Sequence, residues 1–234
     1  MTDIDYELAR LSELVYDPWP GLEGALLRTG WRLLSAPFDH AGTQAMLVQR
    51  SDNAAAALVF RGTQATGKSW RERVIDFTAN LRFWPVLWAG SGRVHAGYAA
   101  ALSRVRYPAR EMADDVPSSV PLYVTGHSLG GALATLYAAW ADHKIAGLVT
   151  FGAPKAGTEN ALSSIVAYDV RRYVMPADFA PSWPPVPGLT HPGDELRLDA
   201  PGWWPGPVSR HAVGGYVEAA APDPSWRRSA SDVN

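Results

Sequence analysis

Gly126-His127-Ser128-Leu129-Gly130 is the segment of this 234-residue chain with the clearest chemical content, a G-x-S-x-G element. With 21 glycines in the sequence, chance yields about one such match per eight chains of this composition, so the flanks decide its meaning. Leu122 to Thr125 before it reads as a short buried strand, and the small residues Gly131, Ala132 and Ala134 after it open a helix. A serine on a sharp turn between such elements holds its hydroxyl above a sheet, at a helix N-terminus whose free N–H groups favour developing negative charge. Gly126 and Gly130 are expected where a Cβ would collide with a neighbouring element. The plainer reading is a turn that Ser128 merely caps. The strand before and the small-residue helix after favour a nucleophile for acyl transfer.

Serine attacks a carbonyl only with an adjacent base, and the base needs a carboxylate to orient it. The turn resembles the nucleophile turn of the α/β-hydrolases, and that resemblance implies the chain order serine, acid, histidine. Of six histidines, His40 and His95 precede the serine. His127 adjoins it, and neighbouring side chains on a tight turn are expected to diverge. His143 falls at the far end of the following helix. His211, after the last expected strand and at a helix start, is the candidate base, with His191 in a proline-rich stretch as the alternative. Asp178 follows the strand Arg171 to Met175 and is the candidate acid; Asp169 lies at that strand's wrong end, and Asp194 and Asp199 come later. For the oxyanion, the Leu129 backbone N–H is one candidate donor, and Thr63, after the apolar run ending Phe60-Arg61-Gly62, is the other.

The elements that must position these residues follow from periodicity. Residues 3–16 read as an amphipathic helix ended by Asp17-Pro18, followed by a Gly/Pro loop. Strands are expected at Trp31–Leu34, Ala45–Gln49 and Ala54–Phe60, the third apolar throughout, as a strand covered on both faces requires. Next come a helix from about Gly97 to Val105, a short one after Pro108, the strand and helix around Ser128, and a buried strand at Ile145–Phe151. A helix near 158–166, strands near 170–174 and at Leu196–Asp199, and a helix at His211–Ala220 complete the chain. Alternation from residue 54 onward predicts an α/β fold: a mainly parallel central sheet with helices on both faces, in one domain spanning 1–234. Nine of the 19 prolines fall in 176–207, which reads as long loops, and the tail 222–234 reads as flexible.

Composition narrows the function. A formal net charge of −2 with both signs dispersed gives no reason to expect a nucleic-acid partner. The absence of cysteine excludes disulfides and thiolate chemistry. No His/Glu cluster has metal-ligand spacing, and neither metal nor organic cofactor is expected. No transmembrane segment and no signal peptide are legible, so the expected location is cytoplasmic, although leaderless export leaves no readable mark.

VFRGT (59–63), VHAGY (94–98), VTGHSLGGALATL (124–136), TFGAPKAG (150–157), MPADFAPSWPP (175–185) and THPGDELRL (190–198) together resemble the class 3 lipases, the fungal-type triacylglycerol lipase family. The resemblance implies the α/β-hydrolase fold and hydrolysis of acylglycerols or related esters. It places the nucleophile on Ser128, the acid on Asp178 and an oxyanion donor on Thr63, and favours His211 over His191. In that family a lid commonly follows the oxyanion loop, where residues 64–92 stand here. Phe83, Trp84, Leu87 and Trp88 are candidate lid or acyl-chain contacts that touch a lipid surface transiently; a locally packed loop is the alternative. Trp183, Trp203 and Trp204 are candidates for the opposite rim. Rivals to the lipase reading are a phospholipase, thioesterase or other acyl hydrolase, and a hydrolase fold that only binds a lipid or protein.

Overall fold

Residues Ala56 to Phe60 offer no polar face, and the strand they form lies inside a sheet covered on both sides. The computed structural model describes residues 2–61, 84–88, 91–165, 169–200 and 206–223. Along them run α1 (Asp3–Leu14), α2 (Trp19–Arg28), β1 (Trp31–Leu33), β2 (Phe38–His40), β3 (Thr43–Arg50) and β4 (Ala56–Arg61). Then follow β5 (Pro85–Leu87), β6 (Arg93–His95), α3 (Ala96–Ser103) and α4 (Arg106–Asp114). β7 (Leu122–His127), α5 (Leu129–Trp140), β8 (Gly147–Phe151), α6 (Glu159–Leu162) and β9 (Val170–Val174) precede a 3-10 turn at Ala180–Ser182. β10 (Asp194–Arg197), α7 (Pro207–Arg210) and α8 (Val213–Ala220) close the order.

The main sheet runs β1-β3-β4-β7-β8-β9-β10, with β2 also paired to β3. β1, β2, β3 and β4 pair antiparallel; from β4 to β10 every pairing is parallel. Alternate side chains divide between two cores, as the two-residue period of a strand dictates. Ala45, Leu47, Ala56, Leu58, Phe60, Val124 and Leu148 face α3, α4 and α5. Met46, Val48, Ala57, Val59, Val149 and Phe151 face α1, α2 and α8. α1 is tied to β9 by the fully buried Asp5, which accepts from Arg171 Nη1 at 2.7 Å and from the Tyr173 hydroxyl at 2.8 Å. The loop leaving β9 carries Asp178.

The mainly parallel sheet with helices on both faces matches the expectation, and several boundaries do not. The Gly/Pro segment after residue 17 is not a loop but α2. Pro20 falls in its first turn, where no intrahelical N–H is needed, and Leu22, Ala25 and Leu26 bury one face at helical spacing. α4 begins before Pro108 rather than after it, with the proline again in a first turn. β10 begins two residues earlier than expected. The helix near 158–166 is the single turn α6. β2 and the small β5–β6 hairpin had no expectation, each strand being three residues long.

Candidate active site

β7 ends at His127 and α5 begins at Leu129, so Ser128 is the entire turn between them, with φ 56° and ψ −127°. Three glycines let the elements close around it. A Cβ on Gly126 would lie 2.5 Å from the Gly130 carbonyl carbon, one on Gly130 2.2 Å from the Phe60 carbonyl oxygen, and one on Gly131 2.7 Å from the Ala153 Cβ. The Ser128 N–H donates to the Phe151 carbonyl at 3.0 Å, which ties the turn to β8. Its side chain is half-buried, within reach of a substrate. Leu129 is the first residue of α5, so its N–H has no acceptor within the helix and, among the described residues, stands available beside the hydroxyl. Thr63, the other candidate donor, lies outside the described residues. β4 stops against this turn, with Phe60 in register with Gly126.

Asp178 is delivered by a tight turn after β9, in which its N–H donates to the Met175 carbonyl at 3.2 Å. Pro176 fixes φ at the turn's second position, and Ala177 takes φ 61°, a left-handed value usually left to glycine. The carboxylate is buried and takes three donors. Oδ1 accepts the Ala180 N–H at 2.9 Å; Oδ2 accepts His211 Nδ1–H at 2.9 Å and the Tyr216 hydroxyl at 2.6 Å. An ionised carboxylate can only accept, so the Nδ1 bond assigns the His211 proton to Nδ1 and leaves the Nε2 lone pair free. That Nε2 lies 2.7 Å from Ser128 Oγ and accepts its proton in a hydrogen bond. His211 is 2% exposed and sits between α7 and α8, rather than at the first position of one helix.

The structure thus brings together Ser128, Asp178 and His211, from chain positions far apart, in one hydrogen-bonded line. His191 is elsewhere: its Nε2 donates to the Pro181 carbonyl at 2.8 Å, and burial holds its pKa down to about 4. His95 caps α3, and burial lowers its pKa to about 4 as well. His40 is exposed on β2.

Two neighbours of the line were not anticipated. Tyr216, on α8, donates to Asp178 and accepts the Met175 N–H at 3.1 Å, linking the acid to the end of β9. Burial, then the Asp178 charge, pushes its phenol well above the usual tyrosine range, so it remains a donor. Gly152 makes room for this contact: at φ 56°, a Cβ there would lie 2.9 Å from both Asp178 Oδ2 and the Tyr216 oxygen. His127 is the second neighbour. Instead of diverging from the site, its Nε2 lies 2.8 Å from the His211 carbonyl oxygen. Both contacts are tertiary, so local spacing carried no sign of them; a buried tyrosine or histidine usually finds a polar partner, and that was the available hint.

Among the candidate rim residues, Trp84 and Leu87 are 82% and 81% exposed on the β5–β6 hairpin. Trp88 is buried with the core cluster under that hairpin. Trp183 is half-buried. Phe83, Trp203 and Trp204, with most of the segment 64–92 and of the tail 222–234, lie outside the described residues. No described helix is long and apolar enough to cross a membrane.

The sequence profile of the class 3 lipases matches residues 57–188. A lipase of Rhizomucor miehei is 30% identical over 171 residues, covering 67% of this chain and 45% of that protein. A lipase of Rhizopus oryzae is 29% identical over 189 residues, covering 74% of this chain and 44% of that protein. The chain therefore spans less than half the length of these curated relatives. Among solved structures, the Rhizomucor miehei lipase–propeptide complex superimposes with a TM-score of 0.66 at 23% identity, over 85% of this chain and 70% of that one. Lip2 lipase from Yarrowia lipolytica gives 0.65 at 20% identity, over 89% and 82%. At these identities the superpositions establish a shared fold.

Proposed function

The chain belongs to the class 3 lipase family and has the α/β-hydrolase fold, and from that premise we propose that it hydrolyses carboxylic esters, acylglycerols or related lipids, through an acyl-enzyme on Ser128. The observation that carries the reading is the unbroken line from Ser128 Oγ through His211 to Asp178, at 2.7 Å and 2.9 Å.

As Ser128 Oγ attacks the ester carbonyl, its proton passes to His211 Nε2. The imidazolium that forms faces the ionised Asp178, which stabilises it without taking the proton. The carbonyl oxygen becomes an oxyanion held by the Leu129 N–H and, on our reading, by Thr63; each such donor contributes about 3 kcal/mol to the transition state. Collapse of the tetrahedral intermediate breaks the ester C–O bond, and His211 returns the proton to the leaving alcohol. Water then attacks the acyl-enzyme with His211 as base, freeing the carboxylic acid and restoring the serine. We further assign Trp84 and Leu87 to contact with the lipid surface. Apolar side chains this exposed bury favourable area when a hydrocarbon phase is offered.

A p-nitrophenyl ester chain-length series and a fluorophosphonate probe test the reading. Native protein is expected to turn over esters and form one covalent adduct, and Ser128→Ala to do neither. Equal rates in the two proteins would remove the nucleophile. Triacylglycerol, phospholipid and thioester assayed side by side identify the class of acyl donor.

A further inference from the structure

We propose that His127, the residue preceding the nucleophile, is a positioning residue that holds the catalytic histidine by its main chain. The proposal rests on the reading of Ser128 and His211 given above. His211 lies outside both helices that flank it, and α7 before it is only four residues long. Its backbone is bracketed by turn bonds, Ala212 N–H to the Ser209 carbonyl, and Gly215 and Tyr216 N–H to the Ala212 carbonyl. None of these bonds involves the N–H or carbonyl of His211 itself. Where the ring points thus depends on the Asp178 bond at Nδ1 and on what grips the main chain of that residue.

His127 supplies the grip. A carbonyl oxygen only accepts, so the 2.8 Å contact requires His127 to carry its proton on Nε2 and donate it to the His211 carbonyl. The two rings sit 4.8 Å apart, and the His127 ring is 5.6 Å from that of Tyr216. His127 is buried, and burial followed by the proximity of His211 holds its basicity well below that of an ordinary histidine. It stays neutral and does not compete as a base.

The geometry explains why this position can do the work. In a continuing strand, side chains 127 and 128 would face opposite sides of the sheet. The left-handed turn at Ser128 breaks the alternation, so both reach His211: the hydroxyl at its ring, the imidazole at its carbonyl. β7 is central, paired with β4 on one side and β8 on the other, and His127 is in register with Phe151. One end of one rigid strand thus sets the serine and the frame of the base together. Swinging the ring from the serine by shifting the His211 backbone would break the second bond too.

The test compares His127→Leu, which removes the donor, with His127→Gln, whose amide nitrogen can reach the Nε2 position. kcat and KM on a soluble p-nitrophenyl ester, the rate of fluorophosphonate labelling and the melting temperature are measured for each. His127→Leu is expected to lose about 10- to 100-fold in kcat with KM changed by less than about two-fold, the signature of misaligned reacting groups rather than weakened binding. His127→Gln should recover to within about five-fold of the native kcat. Native kcat in a folded His127→Leu, or equal impairment of both variants, would overturn the proposal. Should His127→Leu fail to fold, His127→Asn, whose shorter donor stops short of the carbonyl, takes its place: Gln active with Asn impaired supports the proposal, and equal rates refute it. If the native protein neither turns over esters nor labels, it is the reading of Ser128 that falls.

Discussion

Gly130→Ala adds one methyl group at the second residue of α5, and the structure sets what it must displace. An ideal Cβ there lies 2.2 Å from the Phe60 carbonyl oxygen and 3.0 Å from its carbon. Both are backbone atoms, so no side-chain rotation relieves the clash. Opening the 2.2 Å contact to 3.0 Å, the shortest approach that Cβ atoms tolerate, moves the start of α5 from the end of β4 by about 0.8 Å. Overpacking of this kind costs about 1–3 kcal/mol, and in a domain of this size each kcal/mol lowers the melting temperature by about 2–4 °C. The displaced residues adjoin Ser128 and Leu129, and a misplacement near 1 Å lowers turnover by about 100-fold. Gly21→Ala is the control. It also adds a methyl to a helix, but no heavy atom lies within 4 Å of the new Cβ. There the change should stabilise by about 0.5–1 kcal/mol, because alanine loses less backbone freedom on folding. Thermal melts followed by circular dichroism, with turnover of a soluble ester, separate the two. A Gly130→Ala protein that melts with the native one and turns over at the native rate would refute the close-packing argument.

Tyr216→Phe removes one of three donors to a buried carboxylate; stability should fall by about 1.5–3 kcal/mol in denaturant melts and kcat by about 10-fold, and a native kcat would show that Asp178 needs no such support. Burial holds His95 and His191 down to about 4, whereas an unfolded chain protonates them near 6.5. The unfolded state therefore binds more protons in that window, so their effect on stability is nil above about pH 6.5 and grows destabilising toward pH 4, by up to about 1.4 kcal/mol per pH unit for each ring. His191→Gln keeps a donor for the Pro181 carbonyl but cannot titrate, so its stability–pH profile should be shallower; an unchanged slope would contradict the burial. Replacing Trp84 and Leu87 together by serine should leave a soluble short-chain ester turned over as before and weaken both vesicle binding and emulsion activity; equal vesicle binding would remove the surface role.

What the sequence made legible followed from chemistry rather than from propensity. The convergence of Ser128, Asp178 and His211 was readable because Ser128 and Asp178 each stand just beyond a recognisable strand and His211 follows the last one, in the order that the family resemblance implies. The supporting contacts were not readable. Tyr216 meets Asp178 across 38 residues and His127 meets His211 across 84, and no local pattern marks such pairs. α2 was hidden by Pro20, Gly21 and Gly24, which read as breakers; tertiary burial of Leu22, Ala25 and Leu26 outweighs their poor propensity. The start of β10 reads two residues late in the sequence because Asp194, Glu195 and Arg197 leave one apolar residue in four to locate an edge strand.

The dihedral angles at residue 128 carry an evolutionary implication. At φ 56° and ψ −127° a side chain is a burden, and a non-glycine residue held there forgoes about 1–3 kcal/mol that glycine would keep. Selection for folding alone would drift this position toward glycine. Ser128→Gly should accordingly give a protein that outlasts its parent on heating while catalysing nothing. Hardiness and competence pull in opposite directions at this one residue, and screens that rank variants by thermal tolerance would discard the working sequence first.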